Sequence, residues 1–233
     1  MISARAVAAV FVASVFLTGH AAGQEMDNMV FHFSQLELDA SRIDRTGVAH
    51  WDASGWIGTD FDRVWWSAEG QQSRGAIGEA EFTALYGHYV RRFWDVVVGY
   101  RQDLKPSAQG YLAFGVAGLA PYWFEVSALG FISQEGKPSL RLDADTDLFL
   151  TQRLVLTLGG EVEWLLADDR PRSLGRGLAD VEFGLRTRYE IRRKFAPYFD
   201  VTWFRERENA GIADLGRVTQ SDVRLALGLR LIY

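Results

Sequence analysis

Cysteine is absent from this 233-residue chain, so it can build neither a disulfide framework nor a thiolate metal site. Imidazole and thioether are nearly as scarce, with four His and three Met. Five Pro leave little for rigid linkers, and no Pro/Gly/Ser-rich stretch divides the chain into domains. The formal charge is −5, and no basic stripe is interleaved with aromatics, which speaks against a nucleic-acid partner. Long apolar runs are missing as well, with one exception at the start. Ala6–Leu17, AVAAVFVASVFL, is shorter than the ~20 residues of a spanning helix. It follows the basic start Met1–Arg5 and precedes small residues at His20-Ala21-Ala22-Gly23, the pattern of a secretory signal peptide over residues 1–23. A short segment, 24–29, leads into residues 30–233. With no other apolar helix available there, a membrane crossing by this chain calls for a closed barrel.

What the chain has in quantity is glycine (23 residues), aromatics (15 Phe, 8 Tyr, 8 Trp) and alternation. The stretch His50–Gly70, HWDASGWIGTDFDRVWWSAEG, shows it best. Trp51, Ala53, Gly55 and Ile57 form one row and His50, Asp52, Ser54 and Trp56 the other; after Gly58–Asp62, Val64, Trp66, Ala68 and Gly70 oppose Arg63, Trp65, Ser67 and Glu69. Period-two alternation on both sides of a Gly/Asp turn predicts a β-hairpin. The same pattern predicts about twelve strands, from Val30–Ser41 at the start to Asp222–Tyr233 at the end, where Val223, Leu225, Leu227, Leu229 and Leu231 oppose Arg224 and Arg230.

A soluble sandwich would bury the apolar rows, whereas a transmembrane barrel turns them to lipid. The connections favour the barrel. Those after even-numbered strands are tight, at 58–62, 90–93, 121–122, 151–153 and 192–196. Those after odd-numbered strands are mostly longer and polar, at 72–78, 103–110, 134–138, 167–178 and 207–221. Short turns at one rim and longer loops at the other suit an outer-membrane barrel with both termini in the periplasm. Trp51, Trp66, Tyr86, Trp94, Tyr122, Trp123, Trp164, Tyr189 and Tyr198 are placed as interfacial girdles would be. The fold expected is an all-β antiparallel barrel in the outer membrane of a Gram-negative bacterium, in contact with lipid and lipopolysaccharide. Arg170, Arg172 and Arg176 on the 167–178 loop read as solvated charge near lipopolysaccharide phosphates.

The segments WDASGWIGTDFDRVWWSAEG, GLAPYWFEV, LTQRLVL and GLRTRYEIRRKFAPYFDVTW resemble those of the copper resistance protein B family, in order from His50 to Tyr233. The resemblance implies a non-catalytic barrel in copper tolerance, sequestering copper or letting it leave the periplasm, with a periplasmic copper-binding protein as a candidate partner. Family members often carry a long Met/His-rich segment before the barrel. Here only QEMDNMVFHF stands in that place, which leaves little for copper buffering.

Cu(I) favours thioether and imidazole, and Cu(II) favours imidazole and oxygen. Met26, Met29 and His32 lie within seven residues at the predicted periplasmic rim, and His88 ends the fourth strand at that same rim. They form a candidate copper-entry site, although two Met in an N-terminal segment also occur by chance. His50, with Asp52 next on its row, is a candidate exit-side ligand or simply a lumen imidazole bonded to a carboxylate. The inward rows carry Asp52, Glu69, Glu79, Glu81, Asp95, Glu125, Asp143, Asp145, Glu161, Glu163 and Glu182 against Arg101, Arg141 and a few further arginines. Such an acidic excess either focuses cations in a channel or pairs off to plug a narrow lumen. Copper is the ion expected to be bound or passed. A general porin fits the hairpin pattern equally well, whereas an enzyme would need a nucleophile and an acid converging on one of three imidazoles, and no such set is evident.

Overall fold

The computed structural model describes residues 29–43, 46–73, 75–168, 175–209 and 217–233. They form twelve strands: β1 Phe31–Ile43, β2 Thr46–Gly58, β3 Asp62–Ser73, β4 Ala76–Arg91, β5 Trp94–Lys105, β6 Gln109–Ala120, β7 Phe124–Ser133, β8 Pro138–Phe149, β9 Leu154–Leu165, β10 Gly177–Tyr189, β11 Phe195–Asn209 and β12 Arg217–Ile232. Each strand pairs antiparallel with the next, and β12 pairs with β1, so the sheet closes. Closure leaves no edge of unpaired N–H and C=O groups, the condition for a sheet surrounded by hydrocarbon. The signal-peptide residues 1–23 and Met26 lie outside the described residues.

The two faces of the sheet confirm the barrel and its polarity. Apolar side chains of the outward rows are bare, with Leu112 64% and Leu227 68% exposed, and Val98, Phe183 and Leu225 likewise open. A water-soluble sandwich would bury them. On the inward rows Glu37, Arg101, Glu163, Arg188 and Asp200 are all buried. Charge packed inside and leucine bare outside is the transmembrane arrangement.

Glycine and aromatics are abundant for a shared reason. On the outer wall Trp51 lies over Gly70, Trp94 over Gly118, Phe114 over Gly130 and Phe183 over Gly160, so close that a Cβ on any of these glycines would come within 3.0 Å of the ring. A ring laid across a glycine on the next strand fills the missing side chain's space and pins the register.

The connections depart from the sequence expectation. β3 and β4 reach Ser73 and Ala76, β5 and β6 reach Lys105 and Gln109, and β11 and β12 reach Asn209 and Arg217. Much of the predicted loops 72–78, 103–110 and 207–221 is therefore strand. About 9–11 residues suffice to cross hydrocarbon, whereas these strands run from 12 to 16. The surplus stands beyond the bilayer, where neither face meets lipid and alternation fades, as in Gln71-Gln72-Ser73. The strand ends Leu165 and Gly177, and Asn209 and Arg217, stand at the rim predicted to face outward. Arg170 and Arg172 lie outside the described residues; the Arg176 backbone N–H donates to Asp168 Oδ1 at 2.8 Å.

The turns at the rim predicted to face the periplasm are compact and repeat one device. Thr59 Oγ1 accepts from the N–H groups of Phe61 (3.3 Å) and Asp62 (3.2 Å), and Thr151 Oγ1 from those of Arg153 (3.2 Å) and Leu154 (2.9 Å). Two further turns hold aromatics in the left-handed region: Phe93 at φ 69°, Tyr122 at 67° and Trp123 at 63°.

Candidate functional site

The site to consider is the lumen, and alternation determines what enters it. Because β4, β5, β8 and β9 each send every second residue inward, Glu81, Arg101, Arg141 and Glu163 meet there from two adjacent pairs, β4–β5 and β8–β9, that are not neighbours of each other. Arg101 reaches Glu81 (2.8 Å), Asp103 (2.8 Å) and Glu163 (3.8 Å). Arg141 reaches Glu81 (3.1 Å), Glu161 (3.2 Å) and Glu163 (3.9 Å). Both guanidinium groups lie over the Phe131 ring, Arg101 at 5.2 Å and Arg141 at 5.6 Å from its centroid. Planar guanidinium suits this double duty of forked pairing and stacking better than lysine would.

This bridge divides the barrel interior. On its β5–β7 side Val97, Tyr111, Ala113, Leu129 and Phe131 make an apolar cluster, and Phe131 is only 1% exposed. On the other side lies a cavity of about 620 Å³, to which β6 and β7 contribute no lining residue. Its lining holds eleven carboxylates against five arginine or lysine side chains, with His50 the imidazole among them. The interior thus has a dry lobe and a wet, acidic one.

A second set of pairs braces the wet lobe. Arg186 on β10 contacts Glu37 on β1 and Asp200 on β11 (2.9 Å), and it lies 4.5 Å from the centroid of Tyr198. Arg188 contacts Asp147, Arg224 lies 3.6 Å from Glu182, and Arg230 donates to Gln35 at 2.8 Å. At the end that carries the 58–62 turn Arg63 approaches Asp95 (3.9 Å) and lies over Trp56. Asp143 accepts from Ser127 Oγ at 2.6 Å. Of the two alternatives set out above, pairing is present and fills part of the lumen, and an acidic cavity remains beside the pairs.

The residues singled out from the sequence are distributed as follows. Asp52, Glu69, Glu79, Glu81, Asp95, Arg101, Glu125, Arg141, Asp143, Asp145, Glu161, Glu163 and Glu182 all occupy inward rows. His50 also faces inward, but its Nδ1 sits 3.3 Å from Asp39 Oδ2, while Asp52 accepts instead from Ser54 Oγ. His32 and His88 share the rim predicted to be periplasmic, yet both stand on outward rows, with β2 and β3 between their strands. At ~4.8 Å per strand their backbones are roughly 14 Å apart. His88 Nδ1 is 2.7 Å from Asp62, which also accepts from the Tyr86 hydroxyl, and His32 lies beside Tyr233. Met29 is exposed just ahead of β1. Among the described residues no three His, Asp or Glu are gathered as a metal-binding group.

Three features went unread in the sequence. Tyr198, expected in the interfacial girdle, faces the lumen and donates to Asp39 Oδ2 at 3.1 Å. Its row carries Asp200, and that neighbour was the available signal. Glu37 and Asp39 alternate with Leu36 and Leu38, the same signal that marks the other inward carboxylates. The dry lobe was signalled by Val96-Val97-Val98 and Phe131-Ile132, where both rows are apolar.

Fold and lumen together define an outer-membrane β-barrel with a charged, partly filled interior. Solved porins share the architecture: the NanC porin matches with a TM-score of 0.59 at 11% identity over 85% of this chain and 98% of its own, and the KdgM porin with 0.54 at 11% over 84% and 98%. At the sequence level, residues 28–233 match the family model described as copper resistance protein B precursor. The copper resistance protein B of Escherichia coli is 46% identical over 188 residues, covering 80% of this chain and 63% of that protein. A copper resistance protein B homolog of Pseudomonas syringae pv. tomato is 44% identical over 220 residues, 93% of this chain and 74% of that one. The chain belongs to the copper resistance protein B family, and its place is the outer membrane of a Gram-negative bacterium.

Proposed function

We propose that this barrel confers copper tolerance by letting copper ions pass between the periplasm and the exterior through the wet lobe of its lumen. The observation that carries the reading is the lining of that lobe, eleven carboxylates against five fixed cations in about 620 Å³, in a chain of this family. Excess negative charge in a confined, low-dielectric wall raises the local cation concentration. His50 is the imidazole of the cavity and serves as a transient copper ligand, oriented by Asp39. At the periplasmic rim Met29 and His32, with Met26 in the preceding segment, supply soft donors for Cu(I); His88 stands on the outer wall of the same rim, held by Asp62. A periplasmic copper-binding protein delivers the ion there. The family and the barrel both speak for a non-enzymatic role.

The test is complementation. In a strain deleted for its own copper resistance barrel, this chain should restore growth on copper while leaving permeability to small neutral solutes unchanged. Restored solute uptake without copper tolerance would establish the general porin instead. Met26→Ala with Met29→Ala should weaken Cu(I) binding to the purified protein; unchanged binding removes the rim donors from the mechanism.

A further inference from the structure

Arg101 and Arg141 are unusual occupants of an acidic passage. They are fixed cations that tie β4–β5 to β8–β9: Arg141 reaches Glu81 on β4 at 3.1 Å, and Arg101 approaches Glu163 on β9 at 3.8 Å. Arg101 is 3% exposed, so it is not a mobile surface charge. Each guanidinium is held from two directions, by carboxylates on the wet side and by the Phe131 face on the dry side. Removing a charge from such a site leaves its partners buried and uncompensated.

We infer that Arg101 and Arg141 are the selectivity determinants of the lumen. They seal the β5–β7 lobe so that ions are confined to the wet lobe. They also act as tethered counter-ions, cancelling part of the carboxylate charge so that a passing cation is attracted without being trapped, the balance that conduction requires. This inference rests on the lumen being an ion path, as proposed above. It adds which residues set the path's charge and width.

The experiment is planar-bilayer recording of the full-length mature barrel in a KCl gradient, with heat-modified gel mobility confirming that each variant is folded. Arg141→Gln removes one counter-ion from Glu81, Glu161 and Glu163 and shortens the strut. Single-channel conductance and the K⁺ over Cl⁻ permeability ratio should both rise, the ratio by roughly two-fold or more. Arg141→Lys keeps the charge but not the planar fork, so its ratio should stay near that of the unmodified barrel. Glu81→Gln has the opposite sign and should lower the ratio, and it carries the test if Arg141→Gln does not fold. Unchanged conductance and ratio in Arg141→Gln and Glu81→Gln overturn the inference, as does the absence of conductance in every variant. Copper tolerance is scored separately: a shifted ratio in a barrel that does not restore tolerance refutes the copper role alone, and restored tolerance with unshifted ratios refutes the arginine role alone.

Discussion

At the scale of single residues, the contact that binds the barrel's seam is Tyr198 lying across Gly228. The tyrosine stands on β11, Gly228 pairs with it on β12, and the hydroxyl reaches Asp39 on β1 beyond. A Cβ on Gly228 would come 2.3 Å from the ring, so only glycine lets one side chain bridge three strands. Tyr198→Phe should cost about 1 kcal/mol, the net worth of a hydrogen bond. Gly228→Val should cost more, because it expels the ring as well. Urea unfolding in lipid vesicles gives the order, and a Gly228→Val barrel as stable as Tyr198→Phe would refute the bridging role. Phe131 makes a second residue-level case. Truncation to Ala should cost about 3–5 kcal/mol in the same urea unfolding, as for a phenylalanine in a soluble core. Tyr198 was misread because an aromatic near a strand end usually faces lipid, and only the parity of its neighbours shows otherwise.

At the scale of elements, the alternating rows were legible because lipid on one side and charge on the other leave opposite marks on successive residues. Strand existence and direction followed from that, from Val30 to Tyr233. Strand ends did not, since the marks vanish where a strand leaves the bilayer. Orientation is open to a direct check: Leu227→Arg places a charge on the lipid face and should destabilise the folded barrel by about 2–4 kcal/mol if it lies near the midplane. The turns offer another. Phe93 pays for its left-handed backbone with about 1 kcal/mol of strain, so of two variants that both lack the ring, Phe93→Gly should unfold at higher urea than Phe93→Ala. Equal midpoints would mean that the turn relaxes.

At the scale of the whole molecule, the closed twelve-stranded sheet and its charged interior were readable, and the division of that interior was not. Inward carboxylates can be counted along a sequence, but which of them meet an arginine depends on which strands face each other across the barrel. Glu81 and Arg141 acquire each other only through closure. The same dependence gives an expected outcome for salt. The unmodified barrel should prefer K⁺ over Cl⁻ in dilute KCl and lose much of that preference near 1 M, where the screening length falls to about 3 Å. A preference independent of salt would mean that selection is steric.

The bridge between β4–β5 and β8–β9 has a mechanical consequence too. A tube of single-sheet thickness resists stretching along its hydrogen bonds far better than it resists being squashed into an oval. Struts across the bore oppose that flattening where they stand, and here the dry lobe is backed by them and β1 is held by Arg186, while His50 on β2 and Glu69 to Gln71 on β3 face open cavity. Lateral pressure from the bilayer should therefore deform this barrel on one side only, making β2 and β3 the compliant wall and β5–β9 the stiff spine.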